Sequence, residues 1–226
     1  HRLMYKDLPA GMISLFQSAY NFMKQQIDGV NLSGKIVMES YINAWFFLYT
    51  HQGIFDSDGR YIIVDKYPET LAMYKALMER ENYHLPILYI ADSTLDLPLC
   101  PSCIDVNIDF FATNEHNFYR RSFFYEELTP LLKPGAWIIG TYFYFENGWR
   151  SMQKLLSQYP KCSDNNFSLQ YFLKMANESG IVIDKKEICG PSIDSGNNIG
   201  FSFHQKGEKL YLLPYTAHCA LPGRMG

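Results

Sequence analysis

The chain has 226 residues, enough for one large domain or one domain with a small addition, and its 47% hydrophobic and 16% aromatic content supports a substantial core rather than dominant disorder. Its 20 basic and 23 acidic side chains leave a net charge of -3, which gives no electrostatic case for direct nucleic-acid binding by this segment. No apolar run approaches the roughly 18 residues of a membrane span, and five cysteines without the short spacings of a secreted disulfide scaffold read as reduced thiols of a cytoplasmic protein.

The first residues, His1-Arg2-Leu3-Met4, read as a tag remnant or as the edge of a domain cut from a longer protein. Leu8 to Ile27 then has helical periodicity, with Met12, Leu15, Phe16, Ala19, Tyr20, Met23 and Ile27 on one stripe. This helix is expected to serve as a cap, a connector or a homodimer contact, which divides the chain into residues 1–33 and a main domain over 34–226. Asp28-Gly29 and Ser33-Gly34 punctuate the approach to a buried strand, Lys35-Ile36-Val37-Met38. A turn over Glu39 to Trp45 opens a helix that continues through Phe46, Phe47, Leu48 and Tyr49.

The alternation then repeats. Tyr61-Ile62-Ile63-Val64 is a second strand ending at Asp65, and Pro68-Glu69-Thr70-Leu71 starts a helix with proline in its first turn, where a missing N–H does no harm. Ile87-Leu88-Tyr89-Ile90 is a third strand ending at Ala91-Asp92, and Cys103 to Phe111 is a fourth, followed by a helical stretch over about 117–132. Lys133-Pro134-Gly135 terminates that helix before a fifth strand, Ala136 to Tyr144. A helix over Phe167 to Ser179, a sixth strand Ile181-Val182-Ile183, and a hairpin of Ile199–His204 with Lys209–Leu213 complete the pattern. Such alternation predicts an α/β fold: a doubly wound, mostly parallel seven-stranded sheet with a C-terminal antiparallel hairpin, and ligands at the carboxyl ends of its strands.

Cys100-Pro101-Ser102-Cys103 is a C-x-x-C that leads into a strand, whereas a redox pair of that spacing usually opens a helix. Zinc would need two further ligands, which no second C-x-x-C or paired histidines supply, so no metal site is expected. There is no G-x-S-x-G elbow and no phosphate-binding G-x-x-x-x-G-K-S/T, and Gly190 to Asn198 reads as a polar loop.

From about Gly34 to Leu213 this order of elements resembles the class I S-adenosylmethionine-dependent methyltransferases. The landmarks are Glu39 ending the first strand, Tyr61-Ile62-Ile63-Val64-Asp65, Ala91-Asp92-Ser93, Ile104-Asp105-Val106-Asn107-Ile108, Leu131-Leu132-Lys133-Pro134-Gly135-Ala136 and Ser179-Gly180-Ile181. The resemblance implies S-adenosylmethionine as cofactor. Asp65 would accept from the ribose hydroxyls, Asp92 and the Ser93 backbone would meet adenine, and Glu39 would face the methionine ammonium, with Asp109 at the end of the fourth strand beside them. Asp65 and Asp92 can equally be turn formers, and Glu39 a helix cap.

The family's E/D-x-G-x-G-x-G turn is the departure: Tyr41, Asn43 and Trp45 stand where glycines are usual, and no glycine occurs between Gly34 and Gly53. A position there needing φ > 0 is costly for Tyr or Trp, and the added bulk intrudes on the cofactor's amino-acid end. Two functions remain open: a methyltransferase-like domain with impaired or lost cofactor binding, acting as a sensor or interaction module in a larger bacterial protein of the MerR-type regulator kind, or a working methyltransferase on an aromatic or apolar small molecule. His116 is the candidate general base, and Tyr142 lies in the aromatic run Tyr142-Phe143-Tyr144-Phe145, which can line a pocket or simply fill the core.

Overall fold

The structure, a computed structural model, describes residues 10–41, 58–81, 86–92, 95–119, 123–146, 167–193 and 209–220. In chain order these form α1 (Ala10–Ile27), β1 (Ile36–Glu39), β2 (Arg60–Asp65), α2 (Pro68–Arg80), β3 (Ile87–Ala91), β4 (Ile104–Phe110), α3 (Ala112–Tyr119), α4 (Phe124–Leu128), β5 (Leu132–Phe145), α5 (Leu169–Glu178), β6 (Ile181–Lys186), β7 (Cys189–Ile193) and β8 (Lys209–Cys219). The strands make one sheet in the order β3-β2-β1-β4-β5-β8-β6, with β7 pairing β8 as well.

Strands β1 to β5 run parallel to their neighbours, and β8 enters antiparallel between β5 and β6. Strands β1 and β2 are nearly continuous in apolar residues because both of their faces are covered. Leu15, Phe16, Ala19, Met23 and Ile27 of α1 pack with Leu71, Tyr74 and Met78 of α2 in one core layer. Phe123, Phe124, Tyr125 and Leu128 pack with Phe172 and Ala176 in the other. The apolar stripe of α1 is thus turned onto β5, β7 and β8.

Three differences from the sequence-based layout have physical causes. The sheet has eight strands rather than seven among the described residues, because Cys189–Ile193, which runs into the stretch expected as a polar loop from Gly190, pairs with Leu210 and Leu212 of β8. The helical stretch expected over 117–132 is instead α3, α4 and a 3₁₀ turn at Thr129–Leu131. Strand β5 also begins four residues early: Leu132 pairs Ile104, then Trp137 pairs Val106, and the intervening Gly135 at φ 76 takes up the bulge. The partner expected for Lys209–Leu213, Ile199–His204, lies outside the described residues, and β8 pairs with β5 along its length.

Candidate functional site

The carboxyl ends of β1, β2 and β4 lie side by side, since Glu39 stands opposite Ile63 and Ile108 in parallel register. Glu39 and Asp65 are both covered, at 1% and 0% exposure. The Glu39 carboxylate accepts a long 3.4 Å hydrogen bond from the Tyr74 hydroxyl of α2. Asp65 accepts from the Tyr67 backbone amide at 2.8 Å, which turns the chain from β2 into α2. Asp92 is half-buried and joins the same edge through its amide, which donates to the Asp65 carbonyl at 3.0 Å. Ser93, Asn43 and Trp45 lie outside the described residues.

Immediately beyond β1 the Ser40 amide donates to the Ile108 carbonyl, and its hydroxyl donates to Asn107 Oδ1 at 2.6 Å. The next residue, Tyr41, takes φ 45, in the left-handed region that favours glycine. Its ring is buried, stacked on the imidazole of His116 at 6.1 Å and 26°, with Phe124 6.2 Å away. His116 is itself buried, with Phe124 edge-on at 5.6 Å and its Nε2 3.3 Å from Glu127 Oε2. The candidate base therefore sits inside an aromatic cluster, beneath the side chain that occupies the turn.

Asp109 bonds to tyrosines of the same core layer, the one that holds Tyr41 and Phe124. Its Oδ1 accepts from the Thr113 amide at 3.0 Å, and its Oδ2 accepts from the hydroxyls of Thr113, Tyr125 and Tyr215, the last two at 2.9 Å. The two tyrosine hydroxyls also contact each other. Complete burial raises the Asp109 carboxyl above its ordinary range despite these four donors, and burial with the Asp109 charge holds both phenols protonated. Tyr142 is stacked face to face on Phe172 at 4.3 Å, and burial, then the neighbouring Tyr171, pushes its phenol well above the usual value. These two candidates are core groups by position.

One pair was not foreseen. Lys66, directly after Asp65, forms an ion pair with Glu115 of α3. Because β1 lies between β2 and β4, this pair links the segments that follow β2 and β4 on either side of β1. Glu115 follows the fourth strand, 49 positions from Lys66, and no local pattern joins the two.

Sheet order and strand directions settle the architecture. This is the Rossmann-like methyltransferase fold. Geranyl diphosphate C-methyltransferase from Streptomyces coelicolor A3(2), solved with Mg2+, geranyl diphosphate and S-adenosyl-L-homocysteine, superposes with a TM-score of 0.62 at 9% identity, covering 92% of this chain and 80% of that one. A candidate methyltransferase from Bacillus halodurans C-125 gives 0.63 at 10% identity, with 90% and 100% covered. A methyltransferase from Aquifex aeolicus, dependent on S-adenosylmethionine, gives 0.55 at 13% identity, with 86% and 88% covered. No family model matches the sequence, and no curated protein does. No helix among the described residues is long and apolar enough to cross a membrane, and no group of three or more metal-ligand side chains occurs among them.

Proposed function

We propose that this is a methyltransferase-fold domain whose methionine-side pocket is closed by its own side chains, and that it serves as a sensor or interaction module rather than as a catalyst. The observation that carries this reading is Tyr41: its backbone holds the conformation glycine would provide, and its ring is buried against His116 and Phe124. S-adenosylmethionine does not fit such a turn, because the cofactor's amino-acid end needs backbone amides at close approach where the ring now stands. The covered carboxylates of Glu39 and Asp65 and the Lys66–Glu115 pair support the same reading.

A second reading, methyl transfer to an aromatic or apolar small molecule, draws on the survival of Glu39 and Asp65 at their strand ends and on the geranyl diphosphate C-methyltransferase among the similar structures. Calorimetric titration separates the two. The expected result is no binding of S-adenosylmethionine or S-adenosylhomocysteine by the native protein, with adenosine as a third ligand to probe whether the nucleoside half survives. Micromolar affinity for either adenosyl amino acid would overturn the closed-pocket reading. The Tyr41→Gly protein, checked for folding by circular dichroism, is expected to gain affinity for S-adenosylhomocysteine at least tenfold over the native chain, equivalent to about 1.4 kcal/mol.

A further inference from the structure

At the opposite end of the sheet, the segment Cys100-Pro101-Ser102-Cys103 enters the amino end of β4 through a tight reversal. Pro101 occupies the second position and Ser102 has φ 51, the arrangement of a type II turn. Such a turn keeps its first and fourth Cα atoms within about 7 Å, and a disulfide spans about 4.4–6.8 Å between Cα atoms. The turn is pinned from outside: the Ser102 amide donates to the Pro130 carbonyl at 2.9 Å, and that of Cys103 to the Leu131 carbonyl at 3.0 Å. Both thiols are free, Cys100 exposed and Cys103 half-buried.

Burial first, and then Cys100, pushes the Cys103 thiol up, against the pull of Lys133. The Lys133 ammonium is itself fixed 2.8 Å from both oxygens of Asp105. Exposure therefore makes Cys100 the attacking sulfur and Cys103 the resolving one.

The geometry points to a redox modification site at this turn, in which Cys100 and Cys103 close an intramolecular disulfide with a low-molecular-weight disulfide as oxidant. The Cys100 thiolate attacks one sulfur of the oxidant, forms a mixed disulfide and releases one small thiolate. Cys103, its proton lost to solvent, then attacks the Cys100 sulfur and expels the second. The two protein thiols give up two protons and two electrons, and the oxidant becomes two thiols. Because the turn is already formed, closure needs no rearrangement of β4.

The sequence supplies a clean readout, since no lysine or arginine lies between Arg80 and Arg120. Trypsin thus yields a peptide over 81–120 whose only cysteines are Cys100 and Cys103. The folded chain is incubated with oxidised glutathione, alkylated, digested without reductant and weighed. The expected result is loss of two hydrogens from that peptide, loss of both its alkylatable thiols, a monomeric chain throughout, and full reversal by dithiothreitol. In Cys103→Ser the ring cannot close, so a stable glutathione adduct on Cys100 is expected. A peptide that keeps both thiols alkylatable, or that carries glutathione on both cysteines without ring closure, overturns the proposal. A disulfide between two chains does so too.

Discussion

Gly140 decides where a distant side chain can go. A Cβ at this position of β5 would stand 2.6 Å from both Cζ and the hydroxyl of Tyr215, so only glycine lets that ring lie across the strand and reach Asp109. The result is a carboxyl sealed among three hydroxyls and an amide, in which the cost of burying charge outweighs the hydrogen bonds that favour it. The sign of the pH effect follows from the raised native pKa. From about pH 4 upward the unfolded chain releases the Asp109 proton while the native chain retains it, so this group's contribution to stability falls as pH rises, until the native carboxyl ionises too. Asp109→Asn removes that titration. Across this interval the native chain is expected to lose stability relative to the variant by about 1.4 kcal/mol per pH unit, read from urea melts at successive pH values. Parallel profiles would show that Asp109 is ionised in the fold. Tyr41 is the other costly residue: a left-handed aromatic sacrifices on the order of 1–3 kcal/mol of backbone energy, and burial of its ring, worth a similar amount, offsets it.

Between elements, the short helix α3 is held to β5 by a side chain that imitates a strand. Pairing of β4 with β5 ends at Phe110 and Thr141, yet β5 runs on to Phe145. The Phe111 amide, at φ 66, still reaches the Thr141 carbonyl, and then Asn114 takes over. Its Oδ1 accepts from the Phe143 amide at 2.9 Å and its Nδ2 donates to the Phe143 carbonyl at 3.0 Å. The primary amide has the donor and acceptor of a peptide group at the right separation, which an aspartate or an alanine lacks. Asn114→Ala leaves a half-buried N–H and C=O without partners and is expected to cost about 2–3 kcal/mol in chemical denaturation. Asn114→Gln, which keeps both groups on a longer stem, should recover part of it. A loss below about 0.5 kcal/mol in the alanine variant would mean that water replaces the side chain at no cost.

For the whole molecule, legibility followed contact distance along the chain. Helix–strand alternation and the acidic residues ending β1 and β2 were plain in the sequence, because each depends on periodicity and turn chemistry within a dozen residues. Tyr41 at positive φ was visible in kind, since glycine was missing where a sharp turn was due. The partner of β8 was not visible: Trp137 meets His218 across the antiparallel pair, a choice fixed by the sheet as a whole. For the same reason Lys66 with Glu115, and Asp109 with Tyr215, could not be read from spacing. The sheet order also ranks the strands by stability. Strands β5 and β8 are each paired on both sides, and β8 carries β6 and β7 in succession along one edge. By contrast β3, among the described residues, pairs only with β2 and half-exposes Leu88, while β6 ends in the exposed charges Lys185 and Lys186. Backbone amides open by local or global unfolding, whichever is cheaper, and a singly paired strand can detach without breaking the rest. Hydrogen exchange followed by mass spectrometry or NMR is therefore expected to show its slowest amides over Ile138–Tyr142 and Leu212–Ala217. Those of β3 should exchange at least tenfold faster, a gap of about 1.4 kcal/mol in opening free energy. Equal protection of β3 and β5 would mean that the sheet opens only as one cooperative unit, and that the edge strand is held by more than its pairing with β2.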